Sequence, residues 1–145
     1  MAYPPKNHQP RENNSKELPP TIEPQKLPAD YVDSAERLMR ELTVSSRNLT
    51  TTKLRTLFNL VLDVFNEEIL RSDESLTAEH QAKLSLIRMR MVYEAGRDPA
   101  TKYLVKRAKL LEYLKGVGSS RQDFINFTHY MESLVAYHRF FGGKE

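Results

Sequence analysis

The sequence contains no cysteine and no tryptophan. Without cysteine, disulfide frameworks, cysteine-ligated zinc, iron–sulfur clusters and thiol catalysis are excluded. Long hydrophobic runs are also missing, since the apolar-rich stretch 57–65 is far shorter than the ~20 residues of a membrane-spanning helix. The opening residues MAYPPKNHQPRENN lack the apolar core of a secretory signal. We therefore expect a cytoplasmic protein that does not enter a membrane.

Recognisable catalytic motifs are absent as well. The sequence has no HExxH, no DxD-type cluster and no nucleophile elbow. His129 and Glu132 are three residues apart, which places them on one helix face but does not assemble a metal site. His138 shares a face with several apolar residues, a pattern typical of a hydrogen-bonded core histidine. The sequence predicts no enzyme, cofactor or metal. The alternative is a helical nuclease using His129, His138 and Glu132.

The prolines divide the chain into two parts. Seven of the eight lie before residue 29, and proline both lacks a backbone donor and disfavours helix in the residue before it. We predict a flexible proline-rich tail over 1–28 and one helical domain over 29–145. The tail is either a plain disordered arm or a segment that orders along a partner subunit.

Beyond the tail, apolar residues recur with helical spacing and no stretch alternates with the period of a strand. The pattern predicts an all-α protein, a compact bundle of about five helices joined by short connections. We expect the helices to end at glycines or polar turns. They are expected to begin at capping side chains, namely Asp30, Thr50 or Thr51, Thr77, Asp98 and Ser120. Their predicted spans are about 30–46, 50–69, 77–96, 98–116 and 120–142.

Positive charge is concentrated in one third of the sequence. The formal net charge is only +3, but residues 83–115 hold nine basic and three acidic side chains. Such a block suits an anionic polymer. On a straight fourth helix Lys102, Lys106, Lys109 and Tyr113 would lie opposite the apolar side. This stripe is either a solvated face or a set of ammonium groups along a phosphate backbone, with the tyrosine ring open to a sugar or base.

Two further helices carry candidate sites. The first turn of the second helix combines free backbone N–H groups with Lys53 and Arg55, the components of a phosphate site and also of an ordinary helix start. The third helix is apolar on two sides, so it is either buried between layers or presents one side to another chain. Arg88, Arg90 and Arg97 edge this helix and suit bidentate phosphate contacts.

Five segments between Leu27 and Gly143 together resemble one known family. They are LPADYVDSAERLMREL (27–42), LTTTKLRTLFNLVLDVFNEE (49–68), RMRMVYEAGRD (88–98), KRAKLLEYLKGVGSSRQDF (106–124) and HYMESLVAYHRFFGG (129–143). With their spacing, they resemble the small subunit of the type III-A CRISPR effector, the Csm complex. The proline-rich tail is outside this resemblance.

The resemblance implies a noncatalytic all-α subunit in antiviral defence. Its implied partners are CRISPR RNA and target RNA, the large Palm-domain subunit, the backbone subunits and further copies of itself. Such a subunit would hold the RNA duplex by its backbone with little sequence preference. The hypothesis is that some basic residues contact phosphates directly and others add a diffuse field. The contact set is Lys53, Arg55, Arg88, Arg90, Arg97 and Arg121, and the diffuse set is Lys102, Lys106 and Lys109. The alternative is a protein–protein spacer that never touches RNA.

Overall fold

The computed structural model describes residues 17–145, and this part of the chain forms six α-helices and no β-strand. The predicted all-α fold is confirmed. In chain order the helices are α1 (Tyr31–Ser45), α2 (Thr51–Glu68), α3 (Ala78–Arg97), α4 (Pro99–Arg107), α5 (Leu110–Val117) and α6 (Arg121–Phe140). None of these helices is long and apolar enough to cross a lipid bilayer.

Four of the predicted caps are present. Thr50, Thr77, Asp98 and Ser120 each accept a hydrogen bond from the backbone N–H three residues further on. These bonds satisfy amide groups that have no partner inside the helix, so they fix where four helices begin. Asp30 precedes α1 but does not cap it, and its carboxylate instead accepts from Arg37.

The predicted fourth helix is two helices, and the prediction of five was wrong at this point. α4 ends before Ala108, Lys109 adopts a left-handed φ of 54°, and α5 begins at Leu110. On a straight helix Leu110 would lie about 120° from Leu104, on the solvent side. The break allows Leu110 to be fully buried. The Tyr130 hydroxyl donates to the carbonyl of Ala108 at this break.

The core lies around α6. Helices α1 and α2 pack on it from one side and α5 packs on it further along, while α3 bridges α2, α4 and α5. The largest fully buried side chains of α6 are Phe124, Phe127, Leu134 and His138. Of the two alternatives left open for the third helix, burial between layers does not describe α3, because its second apolar side faces outward.

The segment that precedes α1 is bound to α5. The N–H of Gln25 donates to the carbonyl of Glu112 at 3.0 Å, and Lys26 donates to the carbonyl of Gly116. A side chain at Gly116 would overlap the Gln25 carbonyl. Residues 17–28 contain no helix, as the prolines predict. Of the tail predicted over 1–28, residues 1–16 lie outside the described residues.

The last residues close over the start of α2. The N–H of Thr51 donates to the carbonyl of Lys144 at 2.7 Å. Gly143 lies directly against the ring of His138, where a Cβ would overlap the imidazole. The last residues and the first turn of α2 therefore form one packed unit.

Candidate nucleic-acid interface

A cleft lies where the start of α2, the end of α3 and the start of α4 meet. Its walls combine two cations, two carboxylates and several hydroxyls. They are formed by Thr52, Lys53, Thr56, Leu57, Glu94, Arg97, Asp98 and Thr101. Two of the predicted phosphate ligands, Lys53 and Arg97, are therefore brought together although they are far apart in the sequence.

Lys53 is held at one wall of this cleft by two acceptors. Its Nζ donates to the carbonyl of Asn48 at 2.9 Å and to the carboxylate of Asp98 at 3.1 Å. About a third of the lysine side chain remains exposed. Asp98 also accepts from the hydroxyl and the N–H of Thr101, and these bonds, together with Lys53, lower the pKa of Asp98. The ammonium group is thus already paired with a fixed anion.

Arg97 is more open. Its side chain is 64% exposed, and its Nε lies 3.2 Å from the carboxylate of Glu94. Its guanidinium also lies over the Tyr93 ring, 5.9 Å from the centroid. The Glu94 carboxylate is only 14% exposed, so the pair is exposed on the arginine side alone. A phosphate can therefore reach the guanidinium from solvent.

Arg55 does not join Lys53. Side chains two residues apart on a helix point to nearly opposite sides, and Lys53 points toward Asp98 of α4. Arg55 is exposed and forms no ion pair within residues 17–145. The expectation of a single phosphate site from both residues is therefore wrong in geometry, while each residue stays a separate candidate.

Arg88 and Arg90 of α3 are also two residues apart, so they too point to nearly opposite sides of their helix. Arg88 lines the groove between α3 and α5, which Lys115 also lines. Arg90 is exposed and lies seven residues, about two turns, before Arg97, so these two share one edge of the helix. Between the two edges lies an outward apolar face, which we call the α3 face. It consists of Leu86, Met89, Val92 and Tyr93, each 49–59% exposed.

The predicted lysine stripe on the fourth helix is interrupted. Lys102 and Lys106 are exposed on α4, whereas Lys109 occupies the break between the two helices and does not continue their line. Tyr113 was expected on the outer side, which is wrong. Its ring packs edge-on against Tyr130 and is partly buried, and burial raises its pKa.

Arg121 points inward. Its Nε and Nη2 donate to the backbone carbonyl of Glu68 at 2.9 and 2.7 Å, and only 14% of its side chain is exposed. The predicted phosphate contact has no support from this geometry, which favours a role in joining α6 to the end of α2.

The cluster around Glu68 has no counterpart in the sequence-based predictions. The Glu68 carboxylate is fully buried and accepts from Arg71 and from Nδ1 of His80. Nε2 of His80 lies 2.6 Å from Glu67. Burial opposes ionisation of Glu68, but the hydrogen bonds from His80 and Arg71 outweigh it and lower the pKa of Glu68. The hydrogen bond with Glu68 is also the main reason that the pKa of His80 is raised.

The histidines proposed for a nuclease are not arranged for metal chemistry. His138 is fully buried between the Thr51 hydroxyl and the Leu49 carbonyl, which confirms the predicted core histidine. His129 stacks edge-on against Phe65. Within residues 17–145, no three His, Asp or Glu side chains gather to hold a metal ion.

The fold and the surface define a small all-helical protein with basic side chains distributed over its outer faces. The model of the family described as Csm2 Type III-A matches residues 25–144. The chain is similar to "CRISPR system Cms protein Csm2" of Mycobacterium tuberculosis, with 39% identity over 118 residues that cover 80% of this chain and 94% of the relative. The protein of the same name from Streptococcus thermophilus is 38% identical over 119 residues, with the same coverage.

A third relative of that name, from Enterococcus italicus, is 28% identical over 104 residues, which cover 70% of this chain and 74% of the relative. The chain therefore belongs to the Csm2 family, the small subunit of the type III-A CRISPR complex. The resemblance stated from the sequence motifs is confirmed.

Proposed function

We propose that this subunit is noncatalytic and holds the duplex of CRISPR RNA and target RNA through sequence-independent contacts to the RNA backbone. The observation that carries the proposal is the row of cations from Arg90 through Arg97 into the cleft at Lys53. Arg90 and Arg97 share one edge of α3, and Lys53, which is distant in sequence, lines the cleft together with Arg97. Phosphate contacts of this kind supply affinity and register but no sequence information.

The remaining cations have a lesser part in the proposal. Arg55 and Arg88 are separate phosphate contacts at the margins, and Lys102, Lys106 and Lys109 supply a diffuse attractive field. Exposed charges of one sign raise the local concentration of an anionic polymer without fixed geometry. Arg121 is left out because its donors are occupied by Glu68.

The α3 face is the proposed contact with protein. Its four large apolar side chains are half exposed in the isolated chain, and a patch of this kind is typical of an interaction surface. The proposed partners are the large Palm-domain subunit, the backbone subunits or further copies of this chain, with the complex acting in the cytoplasm.

A spacer that contacts only protein is the second candidate. The observation that favours it is the pairing of Lys53 with Asp98 and of Arg97 with Glu94, which leaves the cleft with little net charge. In that case the basic residues would meet acidic surfaces of neighbouring subunits.

Crosslinking separates the two candidates. In a complex assembled with the full chain, photoactivatable target RNA should crosslink to this subunit. Replacing both Arg90 and Arg97 with glutamine should weaken target-RNA affinity and make its dependence on salt less steep by about one unit or more. The matched control is Arg37→Gln, an exposed arginine of α1 that pairs with Asp30. Absence of crosslinks, with affinity and salt dependence equal to those of the control, would favour the spacer.

A further inference from the structure

Asp98 connects three helices through a single carboxylate. It is the N-cap of α4, it directly follows the last residue of α3, and it pairs with Lys53 in the first turn of α2. One carboxylate oxygen accepts from the N–H and hydroxyl of Thr101, and both oxygens lie 3.1 Å from Nζ of Lys53. Because the cap bonds hold the carboxylate in place, the anion cannot move away from the lysine.

We propose that Asp98 is a built-in competitor of RNA phosphate for Lys53, which positions this lysine and lowers the affinity of each subunit for RNA. This inference rests on the proposed function. A lysine that neutralises a phosphate releases small counterions condensed on the nucleic acid, and that release drives binding. Lys53 has a tethered counterion, so a phosphate must displace Asp98 before it gains the lysine.

The geometry makes such displacement possible. The Lys53 side chain is about one-third exposed, and the Asp98 side chain is 28% exposed, so a phosphate in the cleft can reach the ammonium group from solvent. The partly buried carboxylate keeps its own partners at Thr101 when the lysine leaves. A low affinity per subunit makes stable binding dependent on several contacts along one RNA.

Asp98→Asn tests the inference without removing the cap. Asparagine caps helices as well as aspartate does. Its oxygen can accept from Thr101 as before, while the negative charge that pairs with Lys53 is removed. Each additional phosphate contact makes the plot of the logarithm of the binding constant against the logarithm of the salt concentration steeper by about 0.9. Target-RNA affinity of the assembled complex should therefore rise at least about fivefold near 0.15 M salt and become more salt-dependent.

A double-mutant cycle distinguishes a specific competitor from a general negative charge. In a Lys53→Met background, Asp98→Asn should lose most of its effect, because no lysine is left to release. Asp63→Asn, which removes an exposed charge from the outer side of α2, is the matched control and should change affinity little. Thermal unfolding checks that Asp98→Asn and the double variant remain folded.

Each contrary result has a distinct meaning. If Asp98→Asn leaves affinity unchanged while Arg90→Gln and Arg97→Gln together weaken it, the competitor role is wrong and the proposed RNA contact stands. An equal gain with and without Lys53 would also overturn the competitor role. If none of these variants alters affinity or salt dependence, the proposed function itself is wrong for this surface.

Discussion

The two ends of α2 use charged side chains in opposite ways. At the C-terminal end, Glu68 is fully buried and is surrounded by His80, Arg71 and Arg121. At the N-terminal end, Lys53 lies in an open cleft and pairs with the carboxylate of Asp98, and both side chains are partly exposed to solvent. The first group holds helices together, whereas the second keeps charge accessible to a partner. Ion pairs at the two ends of one helix therefore differ in role because their burial differs.

Each end also contains a buried histidine, and the pKa values of the two are shifted in opposite directions. His80 lies between two carboxylates, so its pKa is raised. His138 faces a hydroxyl and a carbonyl, and burial lowers its pKa. Burial acts to lower the pKa of both histidines, and at His80 the hydrogen bonds with the two carboxylates outweigh it.

Glu68→Ala should give the largest effect. It leaves His80, Arg71 and Arg121 without their shared anion, and removing one partner from a buried charge cluster costs about 3–5 kcal/mol. Urea unfolding monitored by circular dichroism measures the loss. Lys53→Ala, at the other end of α2, is the matched control and should cost below about 1 kcal/mol because its pair is partly exposed. Equal losses at both ends would remove the contrast.

Arg121→Gln should follow, with a loss of about 2 kcal/mol for the charged hydrogen bonds to the Glu68 carbonyl. Where the variant is folded, target-RNA affinity of the assembled complex should not change. Arg55→Gln, which alters an exposed arginine of α2, should show the reverse pattern, with stability kept and RNA affinity reduced. Weaker RNA binding by folded Arg121→Gln would show that this arginine reaches the RNA after all.

Gly143→Ala tests the N-terminal end of α2 through its contact with His138. The new Cβ would overlap the imidazole, and we expect a loss of about 1 kcal/mol because the terminal segment can move aside. Gly96→Ala is the control, since a Cβ there meets nothing within 4 Å and helical alanine stabilises by about 0.5–1 kcal/mol. A neutral Gly143→Ala would mean that the last residues do not hold the start of α2.

The smallest effect is the pH dependence of stability, which should have opposite signs for the two histidines. A raised folded-state pKa means that the contribution of His80 is complete below the unfolded value of about 6.5 and is lost as the pH rises through the folded value. The lowered pKa of His138 means that its contribution is complete above that value and is lost as the pH falls below it. Urea unfolding from about pH 5 to pH 9, comparing wild type with His80→Gln and His138→Gln, measures both signs. Differences of the same sign would contradict the assignment.

Local signals in the sequence were enough to predict most helix boundaries. Thr50, Thr77 and Ser120 act as caps in the structure because capping needs only a side-chain oxygen and an N–H three residues away. The break at Lys109 could not be predicted in this way. It depends on Leu110 reaching the core, which is a consequence of packing against other helices and not of local preference.

The candidate site shows the same limit. The basic residues were identified from composition and spacing, but their partners come from elsewhere in the chain, as with Lys53 and Asp98, 45 residues apart. Likewise, Arg121 resembles any arginine at a helix start until its contact with Glu68, 53 residues away, is known. Sequence spacing could have placed Lys53 and Arg55 on opposite sides of α2, because that separation follows from helix geometry alone.

The packing of α1 on α6 has a consequence for synthesis on the ribosome. These two helices are separated by most of the chain, and α1 packs chiefly against α6. The apolar side of α1, with Ala35, Met39 and Leu42, therefore has no native cover until the final helix has emerged. Because nascent chains lengthen at about 5–20 residues per second, this side stays uncovered for several seconds. The part of the core that α1 contributes is thus completed only when α6 is available.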